Sequence, residues 1–186
     1  LGTSYTFDYD PIEEINDALV GLKNKDGLDI PLHVDAASGG FIAPFLDPDF
    51  KWDFRLEQCV SINVSGHKYG LVYPGIGWAL WKNADDVPRS LVTETNVLGF
   101  VEKSFSLNFS RGGAMILAQY YNFVRLGWKG YYEIQNTMRE NARYLASEIE
   151  KIGRFDVLNK GKYTPSCIAK LKDASKFNEA DLVSKL

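Results

Sequence analysis

The tightest constraint on the fold is a helical stripe near the C-terminal end. Tyr131, Ile134, Met138, Ala142, Leu145, Ile149 and Ile152 recur at spacings of 3, 4, 4, 3, 4 and 3 residues. This period lines one face of a long amphipathic helix, and no strand can present it. Gly153 is placed to end that helix in a left-handed cap. A preceding helix is predicted over Ala114 to Leu126. Near the start, Asp10-Pro11-Ile12-Glu13 has the form of a helix opening. Asp10 would cap it, Pro11 would take the first position and Glu13 would complete a capping box. Ile12, Ile15, Leu19 and Leu22 then make a second amphipathic face, which Gly27 closes.

Between these helices the apolar runs are short. Ile30 to Val34, Val60 to Asn63 and Gly77 to Trp81 read as buried strands, and Phe105, Leu107 and Phe109 alternate like a fourth. Beyond Gly153, Phe155 to Leu158 and Cys167 to Leu171 are strand-like, and Asn178 opens another helix. The pattern predicts an α/β fold, a sheet covered by helices, followed by the opening of a second, smaller domain. The chain begins at Leu1 rather than Met and ends inside a helix pattern, so it reads as a piece of a longer chain.

Charge and composition exclude several function classes. Lys and Arg total 21 against 24 Asp and Glu, a net charge of −3. That balance argues against a nucleic-acid partner bound by phosphate neutralisation. No stretch nears the roughly 18 apolar residues of a membrane helix, and no secretory signal pattern opens the chain. Cys59 and Cys167 form neither a CxxC pair nor a metal-ligand spacing. They read as reduced thiols of a cytoplasmic protein.

Two lone charges stand out. Asp35 is the only Asp, Glu, Lys or Arg between Ile30 and Leu46, and Lys68 the only one between Val60 and Trp81. Each follows a strand-like run closely and is set among glycines: Gly39 and Gly40 after Asp35, Gly66 and Gly70 around Lys68. Ligands enter open α/β sheets at such strand ends. One reading pairs the two charges as a structural salt bridge. Another desolvates Lys68, freeing an amine that can form a Schiff base with a carbonyl, while Asp35 faces the nitrogen of a pyridine ring. A third uses His33, Asp35 and His67 as metal ligands, but no motif such as HExxH supports it and no metal is expected.

HVDAASGGFIAPF at 33–45 and SINVSGHKYG at 61–70 resemble the group II pyridoxal-phosphate-dependent decarboxylases, specifically their glutamate-acting members. WDFRL at 52–56, PGIGWALW at 74–81 and NFSRGGAMILAQYYNFVRLG at 108–127 are similar to the same family. Aromatic amino-acid decarboxylases usually carry PHK where this chain has GHK, and sphingosine-phosphate lyases share HVD and HKYG but less of the rest. The resemblance implies a fold-type I transferase-like architecture, a mostly parallel sheet with helices on both faces. It also implies a division into 1–127, the end of a large cofactor domain, 128–153, a connecting helix, and 154–186, the start of a small α+β domain.

The implied cofactor is pyridoxal 5'-phosphate and the implied reaction is decarboxylation of L-glutamate to 4-aminobutyrate. The alternatives are another substrate of a decarboxylase or lyase, or a non-catalytic piece that only folds and self-associates. By similarity Lys68 carries the Schiff base, Asp35 binds the pyridinium nitrogen, and Ala37 packs on the ring. His67 lies by the phosphate or substrate. Ser65, Ser4 and Ser110 supply hydroxyls, with Ser110 reaching a neighbouring subunit in a homodimer or larger oligomer. Val97 stands before Leu98-Gly99 where the family usually has tyrosine, Gly112-Gly113 replaces Pro-Ala or Gly-Ser, and Phe7 lies where glycine is common. Arg55, Arg111 and Arg125 are further candidates for carboxylate binding.

Overall fold

A computed structural model describes residues 1–96, 99–104 and 112–185. The first helix, α1 (Ile12–Asp26), ends as expected, with Gly27 left-handed at φ 70° and its N–H on the Lys23 carbonyl. Its start differs from expectation. No side chain caps it, because Pro11 rather than Asp10 takes the cap position and Glu13 pairs with Lys51. The expected capping box is therefore absent.

The central sheet has the order β1 (Leu32–Asp35), β2 (Cys59–Ser65), β3 (Gly77–Trp81). β1 and β2 run parallel, with Val34 opposite Ile62 and Asp35 opposite Asn63. β3 runs antiparallel to β2, so the described sheet is mixed. A 3₁₀ turn (Gly39–Phe41) and the short α2 (Ala43–Leu46) follow β1. Val34, Ala36, Phe41, Ile62 and Val64 form the core with Ile12, Trp52, Leu56 and Tyr131. A small hairpin, β4 (Thr93–Thr95) with β5 (Glu102–Ser104), comes next. The strand expected around Phe105, Leu107 and Phe109 lies outside the described residues.

The two helices expected over 114–152 are present, joined end to end as α3 (Ala114–Ile152) and separated by a kink at Gly127, which has φ 57° and ψ −167°. Only glycine adopts that conformation readily. Aromatic side chains from both sides of the break converge on the segment after β1. Phe123 lies 6.1 Å from Phe41, Trp128 lies 4.7 Å from Phe45, and Tyr131 stacks on Phe45 at 5.2 Å between ring centres. Gly153 caps the rod at φ 74°, as expected.

The buried face of α3 is only partly the expected one. Beyond the kink the buried residues are Tyr131, Gln135, Arg139, Ala142 and Ala146, a stripe that shares Tyr131 and Ala142 with the apolar one and is otherwise rotated from it. Leu145 and Ile152 stay exposed. Polar side chains can occupy the buried stripe because each finds a partner. Arg139 Nη1 contacts both Asp47 carboxylate oxygens, at 3.0 and 3.1 Å, and Tyr9 donates to the same carboxylate at 3.2 Å.

The tail forms an antiparallel pair, β6 (Phe155–Lys160) and β7 (Cys167–Leu171), then α4 (Glu179–Val183), opened by an Asn178 capping box. The pair packs on α3 and reaches back to the chain start: Thr164 Oγ1 donates to the Phe7 carbonyl at 3.1 Å, and Tyr163 stacks on Tyr9 at 4.5 Å.

Candidate functional site

Parallel pairing puts the C-terminal ends of β1 and β2 side by side. Asp35 is the last residue of β1, and Ser65 is the last of β2. The chain turns sharply after Ser65. A Cβ at Gly70 would run into the Gly66 carbonyl oxygen, so only glycine lets the turn close this tightly. Within that turn Lys68 extends toward the segment after β1, and its Nζ donates to Ser38 Oγ at 3.3 Å. Ser4, Asp35, Ala37, Ser38 and Lys68 line one cleft of about 170 Å³. A second cavity of about 480 Å³ shares Ser4, Ser38 and Lys68 and adds Phe7, Tyr69 and Met138. Lys68 thus stands where two cavities meet.

The structural ion pair between the lone charges does not form: no salt bridge joins Asp35 and Lys68 among the described residues. Both side chains are exposed, which also corrects the expectation of a desolvated lysine. The strand ends open outward, and the apolar runs are buried behind them. Asp35 Oδ1 accepts from Ala37 N–H at 3.0 Å and from Asn63 Nδ2 at 2.9 Å. Partial burial would raise this carboxyl. The two hydrogen bonds, with the charge of Lys68, outweigh it and hold the group below its ordinary value.

The helix α3 holds the lysine turn from both sides of its break. Gln119 Nε2 and Tyr131 Oη donate to the Gly70 carbonyl at 2.9 and 3.0 Å. Asn122 Nδ2 donates to the Leu71 carbonyl at 2.8 Å, and Gln135 Nε2 to the Tyr69 carbonyl at 2.7 Å. Three successive carbonyls after Lys68 are thereby fixed. Leu71 itself is left-handed at φ 65°, a strained conformation for a branched side chain. Phe7, at φ 57°, has the same backbone form, which explains why glycine suits that position.

The other sequence candidates separate. Ser4 lines both cavities and Ala37 lines the smaller one. His67 is exposed, with Nδ1 donating to the Ile76 carbonyl at 3.4 Å, and it lines neither cavity. Ser65 is half-buried and bonds through its backbone, its N–H to the Ala37 carbonyl at 3.2 Å. His33 turns its ring nitrogens to Ser61 and Asn63, which occupies it otherwise than as a metal ligand. Arg55 is taken up by Asp53 and by the carbonyls of Pro48 and Phe50. Ser110, Arg111 and Val97 lie outside the described residues.

Sequence reasoning missed Ser38, Asn63 and the α3 residues that grip the turn. Asn63 left one signal, an amide inside an otherwise apolar run. The α3 residues left none, since their partners are backbone carbonyls more than 45 residues away, the nearest pair being Gln119 and Gly70 at 49.

The family described as "Pyridoxal-dependent decarboxylase conserved domain" matches residues 1–169. The chain is 48% identical to glutamate decarboxylase 3 of Arabidopsis thaliana over 186 residues, all of this chain and 37% of that protein. A solved glutamate decarboxylase of Lactobacillus brevis superposes with a TM-score of 0.93 at 40% identity, covering 98% of this chain and 42% of that one. A sphingosine-1-phosphate lyase of Burkholderia pseudomallei gives a TM-score of 0.73 at 27% identity, covering 97% of this chain and 39% of that one. The chain thus spans well under half the length of these relatives.

Proposed function

The chain belongs to the pyridoxal-dependent decarboxylase family, and on that premise we propose that its cleft holds pyridoxal 5'-phosphate and serves the decarboxylation of L-glutamate to 4-aminobutyrate and carbon dioxide. One observation carries the reading: a primary amine, Lys68, and a carboxylate, Asp35, line one cleft from two adjacent parallel strand ends. The names of the relatives support glutamate as the substrate.

The residues present fit the cofactor. Asp35 Oδ1 takes both protein hydrogen bonds, and Oδ2 takes none among the described residues, so one oxygen remains to accept from a protonated ring nitrogen. Among the described residues Lys68 Nζ has a single long hydrogen bond, to Ser38, which leaves the amine available to tether an aldehyde. Ala37 offers a small side chain against which a flat ring can pack. When bound, the cofactor supplies an electron sink that makes loss of carbon dioxide from an amino acid feasible.

This chain's own residues would do the rest. Asp35 holds the proton at the ring nitrogen. Ser38 orients the Lys68 amine, and the grip of α3 on Tyr69, Gly70 and Leu71 fixes the turn that carries it. Lys68, which lines the cleft, rather than His67, which lines neither cavity, would deliver a proton to the product carbon. Ser4, Ser65 and Ser110 donate to phosphate oxygens. We assign Ser110 to the site of a second copy in a homo-oligomer, and the protein to the cytoplasm, where Cys59 and Cys167 stay as the free thiols seen here. We also assign 1–127 to the cofactor domain, 128–153 to a connector and 154–186 to a second domain.

The test is to incubate the chain with pyridoxal 5'-phosphate, reduce with borohydride and map the modified peptide. The label should fall on Lys68 and vanish in Lys68→Ala. Label scattered over surface lysines would refute the assignment. Carbon dioxide release by the full protein from L-glutamate, compared with L-aspartate and L-tyrosine, then tests the substrate.

A further inference from the structure

The polar side chains on one face of the β1–β2 pair form a hydrogen-bonded chain whose direction is set from its Asp35 end. Asn63 Nδ2 lies 2.9 Å from Asp35 Oδ1. An ionised carboxylate has no proton to give, so the amide must present its nitrogen there, leaving its oxygen on the far side. That oxygen lies 2.8 Å from His33 Nε2. An amide oxygen only accepts, so Nε2 must carry a proton. His33 Nδ1 lies 2.7 Å from Ser61 Oγ. In a neutral ring this nitrogen accepts, so Ser61 donates. The geometry follows from the register, which sets His33 opposite Ser61 and Asp35 opposite Asn63. His33 and Asp35, two residues apart, share a pleat face.

We propose that His33 and Asn63 are positioning residues, and that the directed chain Ser61 to His33 to Asn63 to Asp35 fixes the Asp35 carboxylate in one orientation and in its ionised form. The proposal rests on the reading that Asp35 serves the cofactor's ring nitrogen. Two donors on Oδ1, one from the Ala37 backbone and one from Asn63, prevent the carboxylate from turning and leave Oδ2 as the free oxygen. Polarisation along the chain strengthens the last N–H···O bond, the one that touches Asp35.

The test uses the isotopically labelled chain without cofactor. Long-range proton–nitrogen correlation should find neutral His33 protonated on Nε2. Titration followed at the Asp35 carboxyl carbon should give a midpoint that rises by about one pH unit in Asn63→Leu. It should rise by less in His33→Phe and return in His33→Gln, whose amide can still donate to Asn63. The other charged groups around this cleft, Lys68, Asp10 and the Leu1 ammonium, are untouched in all three variants. Should Asn63→Leu disturb the fold, the two His33 variants decide on their own, since that side chain is exposed. Protonation on Nδ1 overturns the proposal, as does an unmoved midpoint in folded Asn63→Leu, or equal behaviour of the Phe and Gln variants. Failure to trap the cofactor on wild-type Lys68, with the titrations as expected, overturns the cofactor reading and with it the purpose assigned to this chain. Trapping on Lys68 with unmoved titrations overturns the positioning proposal alone.

Discussion

Replacing Gly127 by alanine should destabilise the protein by about 1–3 kcal/mol, the cost of holding a residue with a side chain in a sparsely populated backbone region. The structure isolates this cause, because a Cβ at Gly127 would meet nothing within 4 Å. No clash contributes, so the loss comes from the backbone angles of φ 57° and ψ −167°. Straightening the helix would evade the strain and gain about 1 kcal/mol from the better propensity of alanine. It would also pull one half of α3 off the lysine turn. Gln119 and Asn122 lie before the break and Tyr131 and Gln135 after it, so a straight rod would lose two of these side-chain bonds. At about 1 kcal/mol each, with buried carbonyls left unsatisfied, that loss exceeds the gain. Both routes end in net destabilisation. Urea unfolding followed by tryptophan fluorescence measures it, Trp128 being adjacent to the break. A variant as stable as wild type within about 0.5 kcal/mol, with Lys68 still trapped by cofactor, would show that the break serves no purpose.

Arg139→Met should cost about 2 kcal/mol, because it strands the Asp47 carboxylate, while adding Asp47→Leu should recover most of the loss. The urea midpoints of the single and double variants check this, and a harmless single variant would contradict it. The depressed Asp35 carboxyl contributes stability above the ordinary aspartate value of about 3.9, and that contribution is lost as pH falls through the folded-state value. The stability difference between wild type and Asp35→Asn should therefore shrink below about pH 4, and a difference constant across that range would refute the assignment. Burial pushes the Cys59 thiol up to about 11, against a small opposing pull from Lys82. Native protein at about pH 8 should leave Cys59 unmodified by a disulfide reagent and react there only after unfolding.

The sequence made some elements legible and hid others for physical reasons. Gly27 and Gly153 announced helix ends because a left-handed cap favours glycine whatever surrounds it. Gly77 to Trp81 came out as a strand with those bounds. Asp35 and Lys68 were visible because a single charge in an apolar run needs a reason. The opening of α1 misled, since Pro11 rather than Asp10 takes the cap position and offers no side-chain acceptor. The α3 stripe identified the helix but only part of its buried face. Gln135 and Arg139 sit on the buried stripe because a distant partner takes one end of each, the Tyr69 carbonyl and Asp47, and no local window contains those partners. Asn63 showed only as an amide in a mostly apolar run, and only the pairing of β1 with β2 gave it a task.

The grip of α3 on the lysine turn also imposes an order of assembly. β1, β2 and β3 pair over separations of about 12–28 residues, so their loops close early and at modest entropic cost. The carbonyls of Tyr69, Gly70 and Leu71 must wait for partners 49 to 66 residues downstream. On a ribosome the strands can pair while those partners are still inside the tunnel or unmade. Lys68 is thus synthesised long before its turn can set, and the site reaches its final shape only when the rod docks. A slow docking step would appear as cofactor capture lagging behind the formation of the sheet.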